Sequence, residues 1–89
     1  MKNIKNLPHQ FKGTGEVKGY SFTRIEESKK AFIYEKESTT GNLSYEVFEK
    51  RINRRFLSQR YPKSHDFGVW AWEYSSFDRA FKKFNELNN

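Results

Sequence analysis

The stretch FGVWAWEYSSFDRAFKKFNELNN, Phe67 to Asn89, holds both kinds of secondary structure that the chain uses. Its first eight residues are rich in aromatic and β-branched side chains, which suit a pleated, half-buried surface, so residues 67 to 74 read as a strand. Ser75 or Ser76 then stands where a hydroxyl can accept from the unpaired amides of a first helical turn. Asp78 follows in that turn, at the positive end of the helix dipole. Phe77, Ala80, Phe81, Phe84 and Leu87 recur at three- and four-residue steps, with Lys82 and Lys83 between them. That is an amphipathic helix ending at Asn88-Asn89.

Working back from this unit, residues 43 to 49 (LSYEVFE) and 30 to 37 (KAFIYEKE) are two more strands. The turn-forming STTGN between them, with the Gly41-Asn42 pair, marks a hairpin. Glu16 to Ile25 (EVKGYSFTRI) is a further strand, whose apolar parity slips between Tyr20/Phe22 and Ile25, as a β-bulge would make it. The expected fold is therefore α+β, with about four antiparallel strands and one C-terminal amphipathic helix packed on one face. Residues 16–89 form the single domain. Residues 1–15, with three lysines, Pro8, Gly13 and Gly15, form a flexible basic arm whose only apolar anchors are Ile4, Leu7 and Phe11.

With 89 residues there is room for one small core, and no cysteine to reinforce it by a disulfide or a thiolate metal site. Nine Phe, five Tyr and two Trp make rings the main material of that core. No run resembles a secretory leader or a membrane span, so a cytoplasmic location is expected.

Strand parity assigns the rings to one face. Trp70, Trp72 and Tyr74 alternate with Phe67, Val69 and Ala71, and Phe32 and Tyr34 alternate with Ala31 and Ile33. One helix covers one side of such a sheet and packs best on the small-residue side. The ring face is then either an open platform, for unpaired bases or for a second protein surface, or the core itself, closed by other parts of the chain.

All of the net charge of +6 can be assigned to Lys50–Lys63 (KRINRRFLSQRYPK), which has six bases and no acid, because the other residues carry bases and acids in equal number. Tyr45, Phe48, Ile52 and Phe56 would fit a helix through the start of this segment. A strand running into a loop near Asn53 and ending at Tyr61-Pro62 is preferred, since the residue before proline favours extended backbone. Such a run is either a solvated surface or a dock for an anionic macromolecule, with nucleic acid slightly ahead of an acidic protein. The candidate contact residues are Lys50, Arg51, Arg54, Arg55, Arg60 and Lys63, with Tyr61, Trp70 and Trp72 as stacking or anchoring rings.

Little in the sequence points to catalysis. His65-Asp66 is the one histidine–acid neighbour pair, and a metal site would need about three converging ligands. Glu35, Glu37, Glu46 and Glu49 read as solvated strand edges rather than paired catalytic carboxylates. There is no glycine-rich phosphate loop, nucleophile elbow or cysteine nucleophile. The expectation is a non-enzymatic binder with no cofactor and no metal.

The segments YEVF at 45 to 48, YPKS at 61 to 64 and WAW at 70 to 72 resemble short proteins carried by phages and mobile elements of Bacteroidetes-type bacteria. The resemblance spans about residues 16 to 87. It implies a small accessory or counter-defence protein that acts by binding, either inhibiting a host protein or pairing with a second copy through an aromatic sheet face. The strands followed by a helix with spaced Ala80 and Phe84 are also similar to the tryptophan-glycine-arginine domain, which binds DNA ends. Its signature tripeptide is absent, and Glu49-Lys50-Arg51 stand near where it would fall.

Overall fold

The computed structural model describes residues 4–89. It is the expected α+β fold, an antiparallel sheet with one C-terminal helix, and the sheet has five strands where about four were expected. These are β1 (Gln10–Lys12), β2 (Ser21–Glu27), β3 (Ala31–Glu37), β4 (Leu43–Glu49) and β7 (Ala71–Tyr74), in the spatial order β1-β2-β3-β4-β7. Between β4 and β7 a small separate hairpin, β5 (Ile52–Asn53) and β6 (Ser58–Gln59), stands off the sheet. One helix, α1 (Phe77–Leu87), closes the chain. Among the described residues no helix is long and apolar enough to cross a membrane.

The β3–β4 hairpin lies where STTGN predicted it, with Gly41 at φ 87°, a left-handed conformation that glycine alone adopts without strain. The parity slip in β2 is a bulge between Arg24 and Glu26. The strand itself starts only at Ser21, because Gly15–Val17 wind into a 3-10 turn. The extra strand comes from the segment expected to be a loose arm. Gln10–Lys12 pair with Thr23–Ser21, and the ring of Phe11 lies flat on that of Phe22 with centroids 4.8 Å apart.

The helix packs on the small-residue side, as parity required. Ala80 and Phe84 are buried there with Ala31, Ile33 and Val47, flanked by Tyr74 and Leu87. Its N-terminus is capped by Ser76, which accepts from the Arg79 amide. Its C-terminus is tied to the β2–β3 turn by a Ser28–Asn88 hydrogen bond.

On the opposite side, Phe22, Phe32, Tyr34, Phe48 and Trp70 form a second buried cluster, so the rings are core and not an open platform. Two segments close this face. The N-terminal stretch crosses it, with the Pro8 carbonyl accepting from the Tyr34 hydroxyl at 2.7 Å and the His9 carbonyl accepting from the Arg24 amide. The chain after β6 lays Tyr61 edge-on against Phe11, Phe22, Tyr34 and Phe48, with centroids 4.8–5.5 Å apart.

Parity misplaced Trp72 and Tyr74, which lie on the helix side of the sheet. The strand expected over residues 67–74 begins only at Ala71, because Gly68 at φ 89° starts a turn through Trp70 whose amides return to the Asp66 carbonyl. Trp70 therefore keeps the ring face that parity gave it, buried at 3% exposure, while the strand that follows it is out of step. Trp72, opposite Val47, faces the helix, with the Lys83 ammonium 4.0 Å above its ring.

Candidate anion-binding groove and the buried carboxylate beside it

The basic run Lys50–Lys63 makes the β5–β6 hairpin and the chain that leaves it. Asn53 builds the tip: its side-chain oxygen accepts from the Arg55 and Phe56 amides at 3.0 and 3.2 Å, a turn that asparagine forms readily. Leu57 at the end of the turn adopts φ 51°, a left-handed conformation that is strained for a branched residue. It is held from outside, because its carbonyl accepts from the Lys5 amide at 2.7 Å while the Lys5 carbonyl accepts from Gln59. Gln59 also accepts from the Leu7 amide. The basic N-terminal segment is thus clipped to the basic hairpin, and Lys5 joins its cations. Spacing in the sequence carries no sign of this contact.

The six cations of the run divide into two groups. Lys50 pairs with Glu27 at 2.8 Å, Arg51 with Glu49 at 2.9 Å, and Arg60 lies 3.9 Å from Asp66. The Arg51 and Arg60 guanidinium groups also lie over the Trp70 ring, 5.3 and 5.2 Å from its centroid. Arg54, Arg55 and Lys63 have no acidic partner among the described residues. At the tip, Phe56 is 68% exposed with the Arg55 guanidinium over its ring. An aromatic ring this open, between a pair of arginines and a strained leucine, belongs with the candidate site, and neither parity nor charge count singles it out.

Beside the hairpin runs an open groove of about 490 Å³ lined by Ile52, Asn53, Arg54, Ser58, Gln59, Arg60, Tyr61 and Lys63. Its charged lining is entirely cationic. Asp66, placed just behind it, fixes the geometry: its carboxylate accepts the Lys63 amide at 2.8 Å and stands near Arg60. That amide bond holds the Asp66 carboxyl below the usual carboxylate range. The His65-Asp66 pair is therefore a capping device, with His65 pointing largely into solvent at 74% side-chain exposure.

Of the expected contact residues, Arg54, Arg60, Lys63 and Tyr61 come together at the groove and Arg55 stands at the tip. Lys50 and Arg51 lie at its base, engaged with acids. Trp70 and Trp72 are not stacking platforms, the first being interior and the second under the helix. Tyr61 shows only part of itself to the groove, because its hydroxyl points inward.

What Tyr61 points at is Glu46, expected to be a solvated edge and found 4% exposed on the ring face. The Tyr61 hydroxyl donates to Glu46 Oε1 at 2.7 Å, and Lys36 Nζ lies 3.5 Å from Oε2. Lys36 also reaches Glu73 Oε2 at 3.4 Å, which accepts from the Ser44 hydroxyl. Burial raises the Glu46 carboxyl above its ordinary value despite the Tyr61 and Lys36 donors. Burial pulls Lys36 down, but the Glu46 and Glu73 carboxylates outweigh it and the net shift is upward. Burial, then the Glu46 charge, pushes the Tyr61 phenol up. Alternation in LSYEVFE was the available signal, since it places Glu46 beside Phe48 and away from Val47.

These groups line a second cavity, of about 700 Å³, walled by Phe11, Val17, Phe22, Pro62 and Phe67. Tyr61 and Lys63 line both spaces, so the two adjoin. No protein-family model, curated protein or solved structure matches the chain.

Proposed function

We propose that the chain is a cytoplasmic, non-enzymatic binding module that holds a single-stranded nucleic acid along the β5–β6 hairpin. The observation that carries this is the groove whose charged lining is Arg54, Arg60 and Lys63 with no carboxylate. Arginine pairs bidentately with phosphate, and each phosphate neutralised releases counterions. Asn53, Ser58 and Gln59 add amide and hydroxyl groups of the kind that contact phosphate and sugar. The exposed Phe56 ring and the Arg55 plane favour nucleic acid over an acidic protein, because both stack on bases.

The test is fluorescence anisotropy with a labelled mixed-sequence oligonucleotide over a salt series, for the wild type and for Arg54→Glu/Arg55→Glu. The wild type should bind at low salt with an affinity that falls steeply as salt rises. The double variant should bind at least tenfold more weakly with a shallower slope, its circular dichroism unchanged. Wild-type protein that binds no oligonucleotide at low salt would remove this function.

A further inference from the structure

The cavity that adjoins the groove extends the proposed function to a choice of base, and rests on it. We propose that this cavity receives one base of the bound strand and that Lys36 and Glu46 select guanine there.

The first support is continuity. A strand whose phosphates follow Arg54, Arg60 and Lys63 passes the Tyr61–Lys63 ridge, and those two residues line the groove and the cavity alike. The second is the wall. Phe11, Pro62 and Phe67 offer apolar surface for a flat heterocycle, and a cavity of about 700 Å³ is within the range of small-molecule sites. The third is the order of donors and acceptors at the polar end. Lys36 Nζ lies beside Glu46 Oε2, and Oε1 follows on the Tyr61 side, giving donor, acceptor, acceptor. The pairing edge of guanine carries an acceptor (O6) and then two donors (N1–H and N2–H), its complement in the same order. Adenine, cytosine and thymine each place an acceptor against one of the carboxylate oxygens.

The existing contacts leave capacity for such a ligand. Lys36 stands 3.4 and 3.5 Å from its two carboxylates, longer than a full charge-assisted hydrogen bond. Each carboxylate oxygen of Glu46 accepts from one group and has a second lone pair.

The experiment measures binding of oligothymidine strands that differ only in one central guanine, adenine or cytosine, with wild type and Glu46→Gln. In the variant the second oxygen becomes a donor that opposes the guanine edge. The wild type is expected to favour the guanine strand by about tenfold, the discrimination of one good bidentate pair. Glu46→Gln should bind all strands alike while its salt slope stays that of the wild type. Equal wild-type affinity for all strands, with a steep salt slope, overturns the guanine pocket and leaves the groove standing. Guanine preference that survives Glu46→Gln overturns the assignment to Glu46. No binding of any strand overturns the groove and the pocket together. If Glu46→Gln fails to fold, the wild-type comparison decides, with saturation by guanosine but not cytidine monophosphate as the second measurement.

Discussion

Replacing Tyr61 by phenylalanine removes one oxygen atom and tests the polar centre of the ring face. The phenyl ring keeps its place among Phe11, Phe22, Tyr34 and Phe48, so the apolar packing is nearly unchanged. What is lost is a 2.7 Å hydrogen bond to a carboxylate that is 4% exposed. A hydrogen bond to a charged group contributes ~1.5–3 kcal/mol, and Lys36 keeps Glu46 from being wholly unpartnered, which places the loss near ~2 kcal/mol at neutral pH. Below its raised pKa Glu46 is a neutral acid, and the same deletion then removes only a neutral pair, ~1 kcal/mol. The sign for Glu46 is fixed by that upward shift. The native state holds the proton more tightly than the unfolded chain, so this group's contribution falls as pH rises from the ordinary carboxylate value through the raised one. Without the phenol, which favours the charged form, that fall steepens. Thermal unfolding followed by tryptophan fluorescence should show Tm lowered by ~10 °C at neutral pH and by ~5 °C at about pH 4, scaled for a domain of this size. An equal loss at both pH values, or a neutral-pH loss under ~0.5 kcal/mol, would refute the assignment of a buried, ionised Glu46 held by Tyr61.

Two further outcomes concern the closure of the ring face. Phe11→Ala deletes a half-buried ring stacked on Phe22 and should destabilise by ~2 kcal/mol in urea unfolding, below the range for a fully buried phenylalanine; a loss within ~0.5 kcal/mol would mean that the N-terminal segment does not close the core. Tyr34 and Tyr61 are both raised by burial above the ordinary 10.0, so the unfolded chain gives up those protons first and stability should fall above about pH 10, by up to ~2.7 kcal/mol per pH unit for two groups. Ultraviolet titration in which all five tyrosines of the native protein ionise near pH 10 would contradict this.

The parts of the fold that the sequence made legible are those set by local chemistry. The period of Ala80, Phe84 and Leu87, the Gly41 turn and the alternation in β3 and β4 each follow from residues near in the chain. Even the bulge at Arg24–Glu26 left its mark as a slip in parity. What stayed hidden depends on contacts across long separations. Gln10–Lys12 is short and polar at both ends, and it becomes a strand only because Phe22 offers Phe11 a ring to stack on. The basic run was visible as charge, but its division into engaged and free cations depends on where Glu27, Glu49 and Asp66 fall in space. Trp72 and Tyr74 were misassigned because alternation holds only inside a strand, and the turn that Gly68 starts puts them out of step with Trp70.

The hairpin is held more firmly than its two-residue strands would suggest, since an isolated two-stranded hairpin is marginal in water. Lys5 adds main-chain bonds to β6, the Leu7 amide donates to the Gln59 side chain, and Asp66 fixes the chain leaving the hairpin by accepting the Lys63 amide. Arg51 and Arg60 both lie over the buried Trp70 ring, which anchors the base of the hairpin to the core. Binding loses free energy when side chains and loops must be ordered at the interface, about 0.5–1.5 kcal/mol for each long side chain immobilised. Here the backbone beneath Arg54, Arg55 and Lys63 is held by the hydrogen bonds of the fold, so the proposed docking of a strand would leave only the cationic side chains to fix. Under the proposed function, these three cations, without an acidic partner among the described residues, would hold a short strand better on such a support than on a mobile arm. Lys50 and Arg51, paired with Glu27 and Glu49 at the base of the hairpin, would then serve the groove as structure, while Arg60 lines it.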